Sequence, residues 1–219
     1  PESVTYIGLD AFKDCTSLTS IYIPDSVTLT GLSGTFSGCT SLTNVKLPDV
    51  IYIISTNTFA GCSSLLNIII PDSVTSIKEC AFEGCKSLTN IAIPESVTKI
   101  KTWAFKDCTS LKSIAINNPD CEISNAKDTI PETAVIYGYK NSTAQTYAES
   151  FNRKFISLEE IGDISGNGEI DLYDAIEIAK AIMGLRTFTA EEMIIADFNM
   201  DGAVDLYDAI EIARTLLPK

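Results

Sequence analysis

PDSVTSIKECAFEGCKSLTNIAI, residues 71–93, is one period of a pattern that fills the first half of the chain. Proline recurs at Pro1, Pro24, Pro48, Pro71 and Pro94, at spacings of 23, 24, 23 and 23 residues, and each proline opens another copy. Every copy closes on a Leu-x-x-Ile-x-Ile run or a close variant: Leu18, Ile21, Ile23; Leu42, Val45, Leu47; Leu65, Ile68, Ile70; Leu88, Ile91, Ile93; Leu111, Ile114, Ile116. Side chains alternate along an extended strand, so these positions share one face and are expected to point inward and stack between successive coils.

A fixed period of about 20 to 29 residues with Leu and Ile at set places is the mark of a leucine-rich repeat β-solenoid. Residues 1–116 resemble the BspA-like leucine-rich repeats of bacterial surface and secreted proteins, which read P-x-S-V-T-x-I-x-x-x-A-F-x-x-C-x-S-L-x-x-I-x-I. The resemblance implies the fold and leaves the ligand open, because such solenoids serve many partners. Two copies depart from it: the second carries one extra residue before Phe36, and the third has Val50, Ile51 and Tyr52 in place of Ser-Val-Thr.

After Ile116 the period stops. A C-terminal cap is expected from about residue 117, with a capping box at Ser142 and Gln145, a helix to about Phe151 and a strand over 154–157. No comparable cap precedes Pro1 and the first residue is not Met, so the natural protein is expected to continue toward its N-terminus.

Five of the seven cysteines, Cys15, Cys39, Cys62, Cys85 and Cys108, hold one repeat position, three residues after a phenylalanine. Ligands in a row at 23-residue spacing, without histidine, do not converge on a tetrahedral metal. Equivalent side chains in a stack point the same way, which suits packing better than bridging. Buried free thiols are the favoured reading, with a bridge left open for Cys80 and Cys121. The exposed rows of the strand face are expected to be Ser20, Asn44, Asn67, Asn90, Ser113 and Tyr22, Lys46, Ile69, Ala92, Ala115. Neither row is a track of aromatic rings.

Toward the C-terminus a twelve-residue acidic loop occurs twice, as DISGNGEIDLYD over 163–174 and DFNMDGAVDLYD over 197–208. Oxygen-bearing side chains fall at loop positions 1, 3, 5, 9 and 12 and glycine at position 6, which is how a short segment wraps a calcium ion. The expected ligands are Asp163, Ser165, Asn167, the carbonyl of Glu169, Asp171 and Asp174 in one loop. In the other they are Asp197, Asn199, Asp201, the carbonyl of Ala203, Asp205 and Asp208. Two Ca2+ ions are therefore expected, with tighter binding at the second loop, which offers one more carboxylate.

The copies also share DLYDAIEIA over 171–179 and 205–213, more identity than ion ligation requires. Position 12 is Asp rather than Glu, and no full helix enters the first loop. The pattern resembles a type I dockerin, a small all-α module of duplicated loop and helix. The resemblance implies docking onto cohesin modules of scaffolding proteins in cellulosomes. By the same resemblance the partner-binding residues are Leu172, Tyr173 and Lys180 in one copy and Leu206, Tyr207 and Arg214 in the other. Many dockerins carry small hydroxyl residues where this chain has Leu-Tyr, which implies a more apolar contact. Ile176, Ala179, Met183 and Ile210, Ala213, Leu217 fall at helical spacing and are expected in the core.

Charge separates the halves. Residues 1–158 hold 15 acids and 12 bases, whereas residues 159–219 hold 14 acids and 4 bases. This acidity argues against nucleic acid, whose phosphates need a basic surface. The absence of histidine removes the commonest general base. The longest unbroken apolar run is 50–54, far short of the ~20 residues of a membrane span. The expected organisation is a solenoid with its cap over 1–158 and a dockerin over 159–219. The expected role is a secreted, extracellular, non-catalytic protein carried into a bacterial cell-surface assembly. Two rivals stay open: the appended part of a secreted enzyme, and a calcium-stabilised adhesion protein.

Overall fold

The computed structural model describes residues 3–27, 33–199 and 203–217. The chain forms two compact units, Pro1–Phe155 and Ile156–Lys219.

The first unit is a stack of coils, each contributing short strands to parallel sheets. β1 (Ser20–Tyr22) pairs with β2 (Asn44–Lys46), Ser20 opposite Asn44. β3 (Ile53–Ile54) and β4 (Ser76–Ile77) begin a second sheet. β5 (Asn90–Ile93) returns to the first face, β6 (Lys99–Ile100) extends the second, and β7 (Ser113–Ile116) lies beside β5 with Ala92 opposite Ala115. β8 (Glu122–Ile123) closes the second sheet, and β9 (Val135–Gly138) lies against β7.

A ladder of phenylalanines holds the coils in phase. Phe12, Phe36, Phe59, Phe82 and Phe105 stack with centroids 5.3 to 5.5 Å apart. Beside it, Cys39, Cys62, Cys85 and Cys108 are buried, and each thiol donates to a phenylalanine carbonyl of the preceding coil at 3.0 to 3.2 Å. All seven cysteines are free. Cys15 departs from the expected row and is exposed, because among the described residues no coil covers that side of the stack. Where coil meets coil the column of Asp14, Gly38, Gly61, Gly84 and Asp107 takes a positive φ, +76° at Gly61, whose N–H donates to the Glu83 carbonyl.

The inward Leu and Ile positions are buried from Leu42 to Ile116, and Leu18 and Ile21 are half-buried at the start of the stack. Of the expected exposed rows, Ala115 is a correction. It is buried, because β9 lays Tyr137 against it. The third coil also lacks its strand: no ladder joins 67–70 to β2 or β5.

The end of the stack is covered by a 3-10 turn, Lys127–Thr129, and α1 (Thr143–Ser150). Ser142 caps α1 by accepting the Gln145 N–H, and Gln145 reaches back to the Asn141 N–H at 2.7 Å. Tyr147, buried under α1, donates to the turn's carbonyls and accepts the Ile130 N–H. β10 (Phe155–Ser157) begins where this unit ends.

In the second unit α2 (Leu172–Ile182) and α4 (Leu206–Thr215) each start at the end of an acidic loop, and α3 (Ala190–Ala196) leads into the second. The core is Ile164, Ala175, Ile178, Ala196, Ala209 and Ile212. The expected helix phase is therefore corrected. Ile176, Met183 and Leu217 are exposed, and Ala179, Ile210 and Ala213 are only partly covered. The caps set the phase: Asp174 and Asp208 turn wholly inward to bind the loops, which draws the next residue and the one three further on inward with them.

Candidate metal loops and interaction face

The first loop is closed by its own carboxylates. Asp163 accepts the N–H groups of Asn167 at 3.1 Å and Gly168 at 2.8 Å, and Asp174 accepts those of Ser165 at 2.9 Å and Asp171 at 2.7 Å. Positions 1 and 12 are thus fixed by bonds to the residues between them. Gly168 takes φ +88° at the sharp turn, a conformation that side-chain-bearing residues rarely adopt. Asp171 caps α2 by accepting the Tyr173 N–H at 2.7 Å.

The second loop repeats these bonds where it is described. Asp208 accepts the N–H groups of Asn199 at 3.1 Å and Asp205 at 2.8 Å, and Asp205 accepts that of Tyr207 at 2.7 Å. Asp201, expected at position 5, lies outside the described residues.

The donor set fits calcium: every expected ligand is a hard oxygen, from carboxylate, amide, hydroxyl or main-chain carbonyl. Among the described residues no three acidic side chains are yet grouped as ion ligands. Their oxygens are turned to backbone N–H groups instead.

Beyond the caps, the two copies present the same face. Leu172 and Leu206 are 59% and 57% exposed, and Tyr173 and Tyr207 are 70% and 65% exposed. Lys180 and Arg214 lie about two helical turns beyond the tyrosines, paired with Glu177 and Glu211 on their own helices. Arg186 adds a link seen in one copy: it bridges Glu177 on α2 to Glu192 on α3 and lies over the Phe188 ring at 5.0 Å. Lys180, then Arg186, hold the Glu177 carboxyl below the usual range. Arg186 was not legible in the sequence, because no repeated position marks it.

In the solenoid unit a cleft of about 200 Å3 opens where the third coil lacks its strand, walled by Val45, Lys46, Asn67 and Ile69. Lys46 lies over the Tyr22 ring at 5.3 Å, and Ile69 is 86% exposed. Among the described residues no helix is long and apolar enough to cross a membrane.

Comparison with known proteins finds a family match within each unit. Residues 32–128 match the BspA type leucine rich repeat region in 6 copies, and residues 161–217 match the dockerin type I domain. Neither region is a catalytic one, and type I dockerin domains bind calcium. A leucine rich cell surface protein from Faecalibacterium prausnitzii is 40% identical over 59% of this chain, with a TM-score of 0.50, and this chain covers 32% of its length. The T. pallidum leucine rich repeat protein is 27% identical over 70% of this chain and 79% of its own, with a TM-score of 0.51. The pneumococcal vaccine antigen PcpA, 23% identical over 72% of this chain and 40% of its own, shares the fold at a TM-score of 0.58. No curated protein matches the chain.

Proposed function

We propose that this chain, which joins a BspA type leucine rich repeat region to a dockerin type I domain, is a secreted, non-catalytic adaptor. Its dockerin, over 159–219, docks onto a cohesin of a bacterial scaffolding protein when two calcium ions are bound. The repeat region, over 1–158, is the cargo that reaches the extracellular assembly by this route.

The observation that carries the reading is the duplicated exposed face. Leucine and tyrosine side chains left in water twice, in the same cap position, cost the isolated module solubility and contribute nothing to its core. A partner that covers them recovers about 25 cal/mol for each Å2 of apolar surface removed from water. Calcium holds the loops from which α2 and α4 start, through Asp163, Ser165, Asn167, Glu169, Asp171 and Asp174 and their counterparts Asp197, Asn199, Asp201, Ala203, Asp205 and Asp208. Leu172, Tyr173, Lys180, Leu206, Tyr207 and Arg214 make the contact.

Calorimetry against a panel of cohesins, in calcium and in chelator, tests this. One-to-one binding that vanishes in chelator is the expected result. Calcium uptake without binding to any cohesin would favour the adhesion reading.

A further inference from the structure

We propose that Arg186 makes the two docking faces unequal: by clamping Glu177 it fixes Lys180 in place, so that a cohesin prefers the face of Leu172, Tyr173 and Lys180 to that of Leu206, Tyr207 and Arg214, a bias that rests on the docking function proposed above.

The two helices start alike, since residues 171–179 and 205–213 are identical. What differs is the support behind the cation that follows. In the first copy both oxygens of Glu177 are engaged: Oε1 accepts from Lys180 Nζ at 2.7 Å, and Oε2 accepts from Arg186 Nη1. The other arm of the guanidinium, Nη2, donates to Glu192 Oε1. That carboxylate is itself anchored, because its Oε2 accepts the Thr189 N–H at 2.8 Å at the start of α3. The guanidinium also lies over the Phe188 ring at 5.0 Å. Its planar fork can hold two carboxylates and a ring face at once, which a lysine ammonium cannot do.

In the second copy Glu211 accepts from Arg214 through Oε1, and among the described residues no second cation reaches it. Exposure follows the bonds. The Glu177 side chain is 21% exposed and that of Glu211 40%, and Lys180 is less exposed than Arg214.

A partner that grips a long charged side chain must remove its rotamer freedom, and this lowers affinity. Lys180 has lost much of that freedom on folding, whereas Arg214 loses it on docking. Glu177 takes one of the three ammonium donors of Lys180, which leaves two for an acceptor on the partner. These side chains are partly solvated, so the bias is modest, about threefold in dissociation constant. Arg186 is a positioning residue here, acting on Lys180 through Glu177.

The test uses the full chain in calcium, by calorimetry against the cohesin that binds the unmutated chain most tightly. Two forms each keep a single face: L206A/Y207A keeps the first and L172A/Y173A the second. Each is made with Arg186 and with Arg186→Gln, and calcium uptake and helical circular dichroism are recorded on all of them. With Arg186 present, the first face is expected to bind about threefold more tightly than the second. Arg186→Gln should weaken the first face by about that factor and leave the second unchanged, which separates the effect of Arg186 from the difference between Lys180 and Arg214 themselves. Arg186→Lys keeps the charge without the fork and gives the same comparison if glutamine disturbs α3. Equal weakening of both faces would make Arg186 a support of the fold alone, and no weakening of either would leave it outside docking. Each of these results overturns the inference while docking stands. No binding of the unmutated chain to any cohesin, with calcium taken up, overturns the docking reading and the bias together.

Discussion

Cys80 and Trp103 hold a left-handed backbone, φ +54° and +60°, in a column of the stack occupied elsewhere by Asp10, Gly34 and Asn57. Glycine, asparagine and aspartate visit this region readily, whereas other residues carry a strain of about 1 to 3 kcal/mol. Cys80→Asn is predicted to stabilise the repeat unit by ~1 kcal/mol, seen as a higher urea midpoint. A lower midpoint would mean that the thiol's contact with Glu83 outweighs the strain. The buried thiols make a second prediction. Burial pushes Cys62 and Cys121 up to about 12, from an ordinary value of 9.0. Unfolded, these thiols release protons near that ordinary value, while the folded chain retains them. Stability is therefore flat below pH 9 and falls as pH rises toward 12, by up to about 1.4 kcal/mol per pH unit for each such thiol. Urea melts across this range should show the decline, and Cys62→Ala should remove its share of the slope. Melts that coincide from pH 8 to pH 11 would contradict the argument.

At the scale of elements, the period was readable because each coil must solve the same packing problem, and a solved problem recurs as sequence. The phenylalanine and cysteine columns, the inward Leu and Ile and the two acidic loops all repeat, so each was legible before the fold was known. What did not repeat was misread. Ala115 looked like another exposed strand residue, yet its neighbour is the cap strand β9 rather than another repeat. Asn67 and Ile69 were expected on a strand like their repeat counterparts, yet no ladder joins 67–70 to β2 or β5. The helix phase in the second unit failed for a different reason. Ile176 and Ile210 satisfy helical periodicity, but the inward turn of Asp174 and Asp208 fixes the rotation first, and Ala175, Ile178, Ala209 and Ile212 take the core instead. The equivalence of α2 and α4 rests on the caps and on the pairs Leu172, Tyr173 and Leu206, Tyr207, all exposed. A partner covering one Leu-Tyr pair could equally cover the other after the module turns by about half a revolution. Removing Leu172 and Tyr173 together, as alanines, is predicted to leave cohesin binding nearly intact, as is removing Leu206 and Tyr207. Removing all four should abolish it. Loss of binding with either pair alone, measured by calorimetry, would refute two equivalent orientations.

At the scale of the whole molecule, the two units draw their stability from different sources. The repeat unit has a continuous apolar core, from Ile23 to Ala148, and coil-to-coil backbone bonds that involve no ion. Among the described residues the second unit's buried apolar cluster has six members, and from residue 159 onward four of sixty-one residues are basic and fourteen acidic. A core that small contributes too little to offset chain entropy unaided, and clustered carboxylates oppose compaction unless cations neutralise them. Calcium removal is therefore predicted to unfold residues 156–219 while residues 1–155 keep their structure. Circular dichroism is the direct measurement: chelator should abolish most of the helical signal of α2, α3 and α4 near room temperature and leave the thermal transition of the repeat unit in place. Tyr173 and Tyr207 should become sensitive to proteolysis in chelator, while cleavage within the solenoid should not increase. A single melting transition, at one temperature with and without calcium, would show that the second unit folds without ions. Docking could not then be switched through the folding of this unit, and any loss of cohesin binding in chelator would have to arise from the loops alone.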